Sequence, residues 1–248
     1  MRPRVNFIAM SLEDNIDIVK WAYFEKDGVI SLHDYTVKMF PELENIYNYS
    51  EENIDKKIRE VVEKAFDLDK INTEIIRYKN IWDSYNDKYF DVLEKYLDIK
   101  WINDKKEIDA FVGFIPIFPR DIDNYSFSLS TGIVDKDIID TCAHEILHFL
   151  WFDKWMSLFP STKREDLNSP YLVWEYSEMV VDPILNSIEF NKLFSFNFKS
   201  YDNFYKLEYN GYNVMEKLRD IYNMNISIED KIKKGYEYVC LVYKELDN

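Results

Sequence analysis

The ten residues Thr141-Cys142-Ala143-His144-Glu145-Ile146-Leu147-His148-Phe149-Leu150 constrain this chain more than any other stretch. On a helix, positions four apart point the same way, about 40° from each other, so His144 and His148 offer two imidazoles from one face. Glu145 sits beside the first of them. Its carboxylate is poorly placed to bind the same ion, but it can reach a water held next to that ion and accept a proton. The remaining seven residues are uncharged, as a helix packed beneath a buried metal requires, because a further charge there would need its own partner. The chain holds only 3 histidines, the third being His33, so the five-residue pattern is not a by-product of histidine abundance.

On the His-Glu-x-x-His spacing and its uncharged frame, the stretch resembles the zincin metallopeptidases. That resemblance implies a helix-rich α+β zincin-like fold with a small mixed sheet, a bound Zn2+, and hydrolysis of peptide bonds with Glu145 as general base. It also implies that strands precede the motif helix and that an edge strand holds an extended peptide through backbone hydrogen bonds.

A chain of 248 residues can bury a sizeable core. Hydrophobic residues make up 47% and aromatics 17%, while there are only 5 Gly and 7 Pro, which points to an ordered, helix-rich globule. A formal net charge of −15 disfavours nucleic acid and anionic membranes, both of which need a basic surface. Two cysteines, Cys142 and Cys240, imply no disulfide framework. The short apolar run near the N-terminus is interrupted by Asn6 and does not read as a signal peptide, and no stretch has the length of a membrane span. The expectation is a soluble, cytoplasmic protein.

Val5 to Met10 reads as a strand, and Ser11 with Asp14 as a capping box opening a helix. Ser31 and Asp34 repeat the signature, which puts His33 in a first helical turn, where it is expected at the surface. Ile54, Ile58, Val61, Val62 and Ala65 define an amphipathic helix between Ser50 and Phe66. A longer helix is expected from about Asn72 to Leu97, with Tyr78, Trp82, Tyr85, Tyr89, Phe90 and Tyr96 in the core. Ile108 to Ile115 and Tyr125 to Ser130 read as two strands. The motif helix should run from Asp135–Asp137 to Phe159, stopped by Pro160. The whole is expected to form one zincin-like unit over 1–248, mostly helical over 1–98, with strands, metal helices and a helical lobe over 99–248.

Ser169-Pro170 looks like the start of a further helix carrying Glu175, Glu178 and Asp182 on one face. A catalytic zinc takes three protein ligands, and a ligating imidazole usually donates its second N–H to a carboxylate. Glu178 as ligand with Asp182 one turn on supplies both parts, with Asp182 orienting His144. Glu175 is the alternative ligand, but it would place Met179 one turn on, a poor acceptor. The Glu178 and Asp182 pair resembles the gluzincins of thermolysin-like and aminopeptidase-like type, whereas the metzincin pattern is excluded by Trp151 and Lys154. No His follows His148, so an oxyanion donor would have to be a Tyr, with Tyr171, Tyr176, Tyr205, Tyr209 and Tyr212 as candidates. The functional expectation is a zinc metallopeptidase acting on a peptide or protein. The alternative is a zincin-like protein that binds zinc and a partner without turnover.

Overall fold

A computed structural model describes residues 2–25, 31–101 and 107–246. In chain order its principal elements are β1 (Arg4–Ala9), α1 (Leu12–Phe24), α2 (Leu32–Met39), α3 (Glu51–Ala65), α4 (Leu68–Asp83), α5 (Asn86–Leu97), β2 (Glu107–Gly113), β3 (Arg120–Asp121), β4 (Ser126–Ser130) and α6 (Asp135–Leu158). They continue with α7 (Leu172–Met179), α8 (Val181–Leu185), β5 (Glu208–Tyr209), β6 (Tyr212–Asn213), α9 (Val214–Asn223) and α10 (Ile228–Leu246). The fold is α+β and helix-rich, as expected. No helix among the described residues is long and apolar enough to cross a membrane.

The chain divides into two compact units. Pro3–Ser84 and Lys105–Thr141 build the first, Tyr85–Asp104 and Cys142–Asn248 the second. The boundary at Ser84 also splits the helix expected over 72–97 into α4 and α5, a break that no Gly or Pro announces.

The first unit is organised on a mixed sheet in the order β1-β2-β4-β3, in which β1, β2 and β4 are parallel and β3 is antiparallel. Period-2 alternation aligns Val5 with Ile108, Phe7 with Ala110 and Ala110 with Phe127, all buried. β4 is paired on both sides, which leaves β1 and β3 as the edges. Helix α4 packs along β1, with the Phe7 and Tyr78 rings edge to face at 6.3 Å. The Tyr78 hydroxyl donates to the Ser130 carbonyl at 2.7 Å.

A second core joins α1, α3 and the turn at Leu43 through Val19, Tyr23, Leu43, Ile58 and Val62, with Leu32, Val37 and Met39 of α2 packed against it. The Ser11 capping box forms as expected, with Asp14 N–H donating to Ser11 Oγ at 3.1 Å. Ser31 accepts from Asp34 N–H in the same way. His33 departs from its expected surface position. It is half-buried, with Nδ1 2.6 Å from the Tyr23 carbonyl and its ring against that of Tyr23.

α6 starts where the first unit ends. Arg77 donates to the Ile133 carbonyl at 2.6 Å and pairs with Asp135, which fixes the chain at the entry to the helix. Asp135 and Asp137 in the first turn suit the positive end of the helix dipole. Over its second-unit length α6 is buried almost all round, with Cys142, Ala143, Ile146, Leu147, Phe149, Leu150 and Trp151 at 1% exposure or less. It ends at Leu158, ahead of Pro160.

Around it the second unit packs aromatic against aromatic. Trp151 stacks on Trp155 at 5.2 Å, and Tyr176 of α7 meets Trp151 edge-on at 5.6 Å. Tyr176 is fully buried and its hydroxyl is shared with Tyr222 at 3.0 Å and the Ile232 carbonyl at 3.0 Å. This seats α7 closely on α10 at Gly235, where an added Cβ would lie 2.2 Å from the Tyr176 hydroxyl.

Gly to Ala in a helix interior normally gains about 1 kcal/mol, but a buried clash of this kind costs about 1–3 kcal/mol. Gly235→Ala should therefore lower the thermal midpoint. An unchanged or higher midpoint would show that the Tyr176 ring yields without cost.

Candidate metal centre

Three side chains from two helices converge in the second unit. α6 brings His144 and His148 one turn apart, with their rings edge to face at 4.7 Å and their Nε2 atoms 2.9 Å from each other. α7 brings Glu178, whose Oε2 is 3.0 Å from His144 Nε2 and whose Oε1 is 3.3 Å from His148 Nε2. The three donor atoms all lie within 4.8 Å of one another, so the group could hold a metal ion.

The distances themselves test the fit. A tetrahedral ion with bonds of about 2.0–2.1 Å separates its donors by roughly 3.3–3.4 Å. The observed separations lie at or slightly inside that edge. Two nitrogens and one carboxylate oxygen are also the donor set that zinc accepts. His148 is 0% exposed and its ring stacks on Phe152, whereas the His144 side chain is 22% exposed, so the cluster opens to solvent on the His144 side.

Electrostatics follow from that burial. Burial pushes the Glu178 carboxyl up, but the two imidazoles facing it overcome this and hold it well below the usual carboxylate range. Glu145, 7% exposed, stands outside the donor group.

The other two acids of the expected face go elsewhere. Asp182 was expected to orient His144. Instead its Oδ1 accepts from Arg219 Nε at 2.9 Å and from Asn186 Nδ2 at 3.2 Å, and its Oδ2 from Arg219 Nη2 at 2.7 Å and the Tyr205 hydroxyl at 2.5 Å. The reason is a break in the helix. Pro183 has no N–H to give the Met179 carbonyl, so α7 ends at Met179 and α8 begins at Val181. Asp182 therefore does not continue the face that carries Glu178. Burial pushes the Asp182 carboxyl up, and the Arg219 and Tyr205 hydrogen bonds outweigh that and keep it low.

Glu175, the alternative ligand, is not part of the metal-competent group. It is half-buried near Tyr243 of α10, and its Oε2 is buried without a hydrogen-bond partner. Helix α7 also starts later than the Ser169-Pro170 signal suggests, with Tyr171 as its N-cap.

Among the tyrosines considered as oxyanion donors, the Tyr176 and Tyr205 hydroxyls are engaged in the bonds just described, and Tyr209 packs against Tyr238. Tyr171 and Tyr212 are exposed. Ser200 and Arg219 escaped the sequence reading. Ser200 Oγ donates to the Glu178 carbonyl at 2.7 Å. Neither residue lies in a motif, and Arg219 is 37 residues from its partner Asp182. A polar cavity of about 640 Å3 opens beside this pair, lined by Asn186, Lys199, Asp202 and Asn223 among others.

Comparisons of the chain with protein-family models, with curated proteins and with solved structures return no match.

Burial raises the Glu175 carboxyl above its ordinary value, and Tyr243 only partly offsets this. A raised carboxyl pKa means that the folded state prefers the neutral acid. The contribution of Glu175 to stability is thus complete below the ordinary carboxylate value and is lost as pH rises through the folded one. Glu175→Gln cannot ionise, so it should match wild type in acid and exceed it at pH 7. Thermal melts at the two pH values check this, and a variant less stable at pH 7 would contradict the assignment.

Proposed function

We propose that this chain is a zinc-dependent metallopeptidase of the zincin type, with a gluzincin-like ligand set of His144, His148 and Glu178. The observation that carries the reading is the convergence of these three donors at tetrahedral spacing, with a second acid, Glu145, next to the first ligand but outside the set. A zinc ion there supplies Lewis acidity, lowering the pKa of a water towards about 7 and polarising a carbonyl.

The chain's own residues do the rest. Helix α6 fixes both imidazoles on one face, and the buried Glu178 carboxylate is ionised and ready to ligate. Glu145 accepts the proton of the attacking water as its oxygen bonds to the scissile carbonyl carbon. It then gives that proton to the leaving nitrogen as the C–N bond breaks. The products are a carboxylic acid and an amine, so atoms and protons balance with water as the only co-reactant. Substrate reaches the site from the His144 side, the exposed edge of the ligand set.

A second reading is a zincin-like protein that holds zinc and a peptide or protein partner without turnover. It is favoured by the absence of any His after His148 and by the engagement of Tyr176 and Tyr205, which narrow the choice of oxyanion donor.

Metal analysis and a peptide-library assay decide between the two. Wild type should carry close to one zinc per chain and cleave peptides. Glu145→Gln should keep the zinc and lose turnover by at least about 100-fold, the scale of a lost general base. Glu178→Ala should lose zinc where Glu175→Ala does not. Zinc retained in Glu178→Ala would remove the ligand assignment. A wild type that binds zinc and peptide but cleaves nothing would establish the second reading.

A further inference from the structure

We infer that Arg219 is a positioning residue for Glu178, acting through Asp182, Tyr205 and Ser200; the inference rests on the metal-site reading above. Glu178 is the penultimate residue of an eight-residue helix that breaks immediately after it. A helix end of that kind has no continuing ladder to hold it, and its carbonyls need partners from outside. The Glu178 carbonyl has one in Ser200, at 2.7 Å. Ser200 is held in turn, since its N–H donates to the Tyr205 hydroxyl at 2.9 Å. The Tyr205 hydroxyl donates its own proton to Asp182 at 2.5 Å. Asp182, its side chain 2% exposed, receives the fork of Arg219 through Nε and Nη2.

Every link is directional, and the bonds run unbroken from the Glu178 carbonyl to the Arg219 guanidinium. Asp182 lies four residues after Glu178 on the other side of the break, so the relay ties the two sides of the broken helix together through a loop. Asn186 reinforces the tie, its side chain bonding both the N–H and the carbonyl of Phe198 at 2.9 Å. The Arg219 guanidinium also lies over the Tyr205 ring, 5.7 Å from its centroid.

Arg219 is the member that makes the rest necessary. A buried carboxylate without a cation is strongly disfavoured, so without the guanidinium Asp182 would turn towards water or take up a proton. Tyr205 would then lose the acceptor that sets its hydroxyl, and Ser200 the partner that aims its Oγ at Glu178. Arg219 itself is 44% exposed and borders the polar cavity, so it can be replaced without opening the core.

A merely structural ion pair would change stability alone, whereas a positioning relay changes the metal. The test uses full-length protein loaded with zinc or with cobalt(II), comparing wild type with Arg219→Ala, Tyr205→Phe and Ser200→Ala. The last two remove single hydroxyls and are the variants least able to disturb folding. Zinc affinity is read by competition with a chromophoric chelator, and ligand geometry by the visible absorption of the cobalt form.

Loss of outer partners of a metal ligand typically costs about 10–100-fold in affinity. Each variant should weaken zinc on that scale and shift the cobalt bands, while Arg59→Ala, which removes an ion pair with Glu13 in the first unit, should change neither. Wild-type affinity and an unshifted cobalt spectrum in all three variants would overturn the inference, whatever happens to their melting temperatures. A wild type that takes up neither metal would instead overturn the metal-site reading and the inference with it.

Discussion

Two imidazole nitrogens 2.9 Å apart, facing a carboxylate that is almost wholly buried, do not stay together by packing alone. Lone pairs at that separation repel unless a proton or a cation lies between them, and a buried carboxylate needs positive charge nearby. Protons on the imidazoles are one way to meet both demands, and the imidazoles facing Glu178 are what hold its carboxyl low. A divalent ion meets them better, because one charge centre satisfies all three donors at once. The two would compete, so an ion bound by these donors would release protons and be held more tightly as pH rises.

The two helices that deliver the donors are rigid in different ways. α6 is long, runs 24 residues and is sheathed in aromatic and aliphatic contacts, so His144 and His148 inherit their spacing from helical geometry. Lys154 adds a fixed point one and a half turns beyond His148, buried between Glu229 and the Asp98 carbonyl. α7 has only eight residues and is interrupted by the approach to Pro183. Its precision comes from outside: Tyr176 wedged against Gly235 on one side, Ser200 on the Glu178 carbonyl on the other. Glu178, delivered by the shorter helix, is thus held by bonds from outside that helix.

This difference explains what was legible in the sequence. The motif helix could be bounded from local signals alone, acids in its first turn and Pro160 past its end, and its two histidines follow from i, i+4 spacing. Glu178 could be singled out because ligand chemistry favours it over Glu175, and the structure brings Glu178 to the histidines. The role given to Asp182 was wrong for a physical reason. Facing residues were counted on one unbroken helix, and the missing N–H of Pro183 ends that count at Met179. Arg219, Tyr205 and Ser200 carry no local signal because their roles exist only once distant segments meet. The same limit hides β3, two residues long, and the break between α4 and α5.

Burial also sets the direction from which chemistry can occur. His148 and Glu178 are closed off, and Glu145 is nearly so, which leaves His144 as the exposed edge of the group. Glu145 is the next residue along the helix, turned about 100° from His144. On the mechanism proposed above, a proton taken up by the nearly buried Glu145 would be shielded from solvent, and the same carboxyl would carry it from the water to the leaving nitrogen.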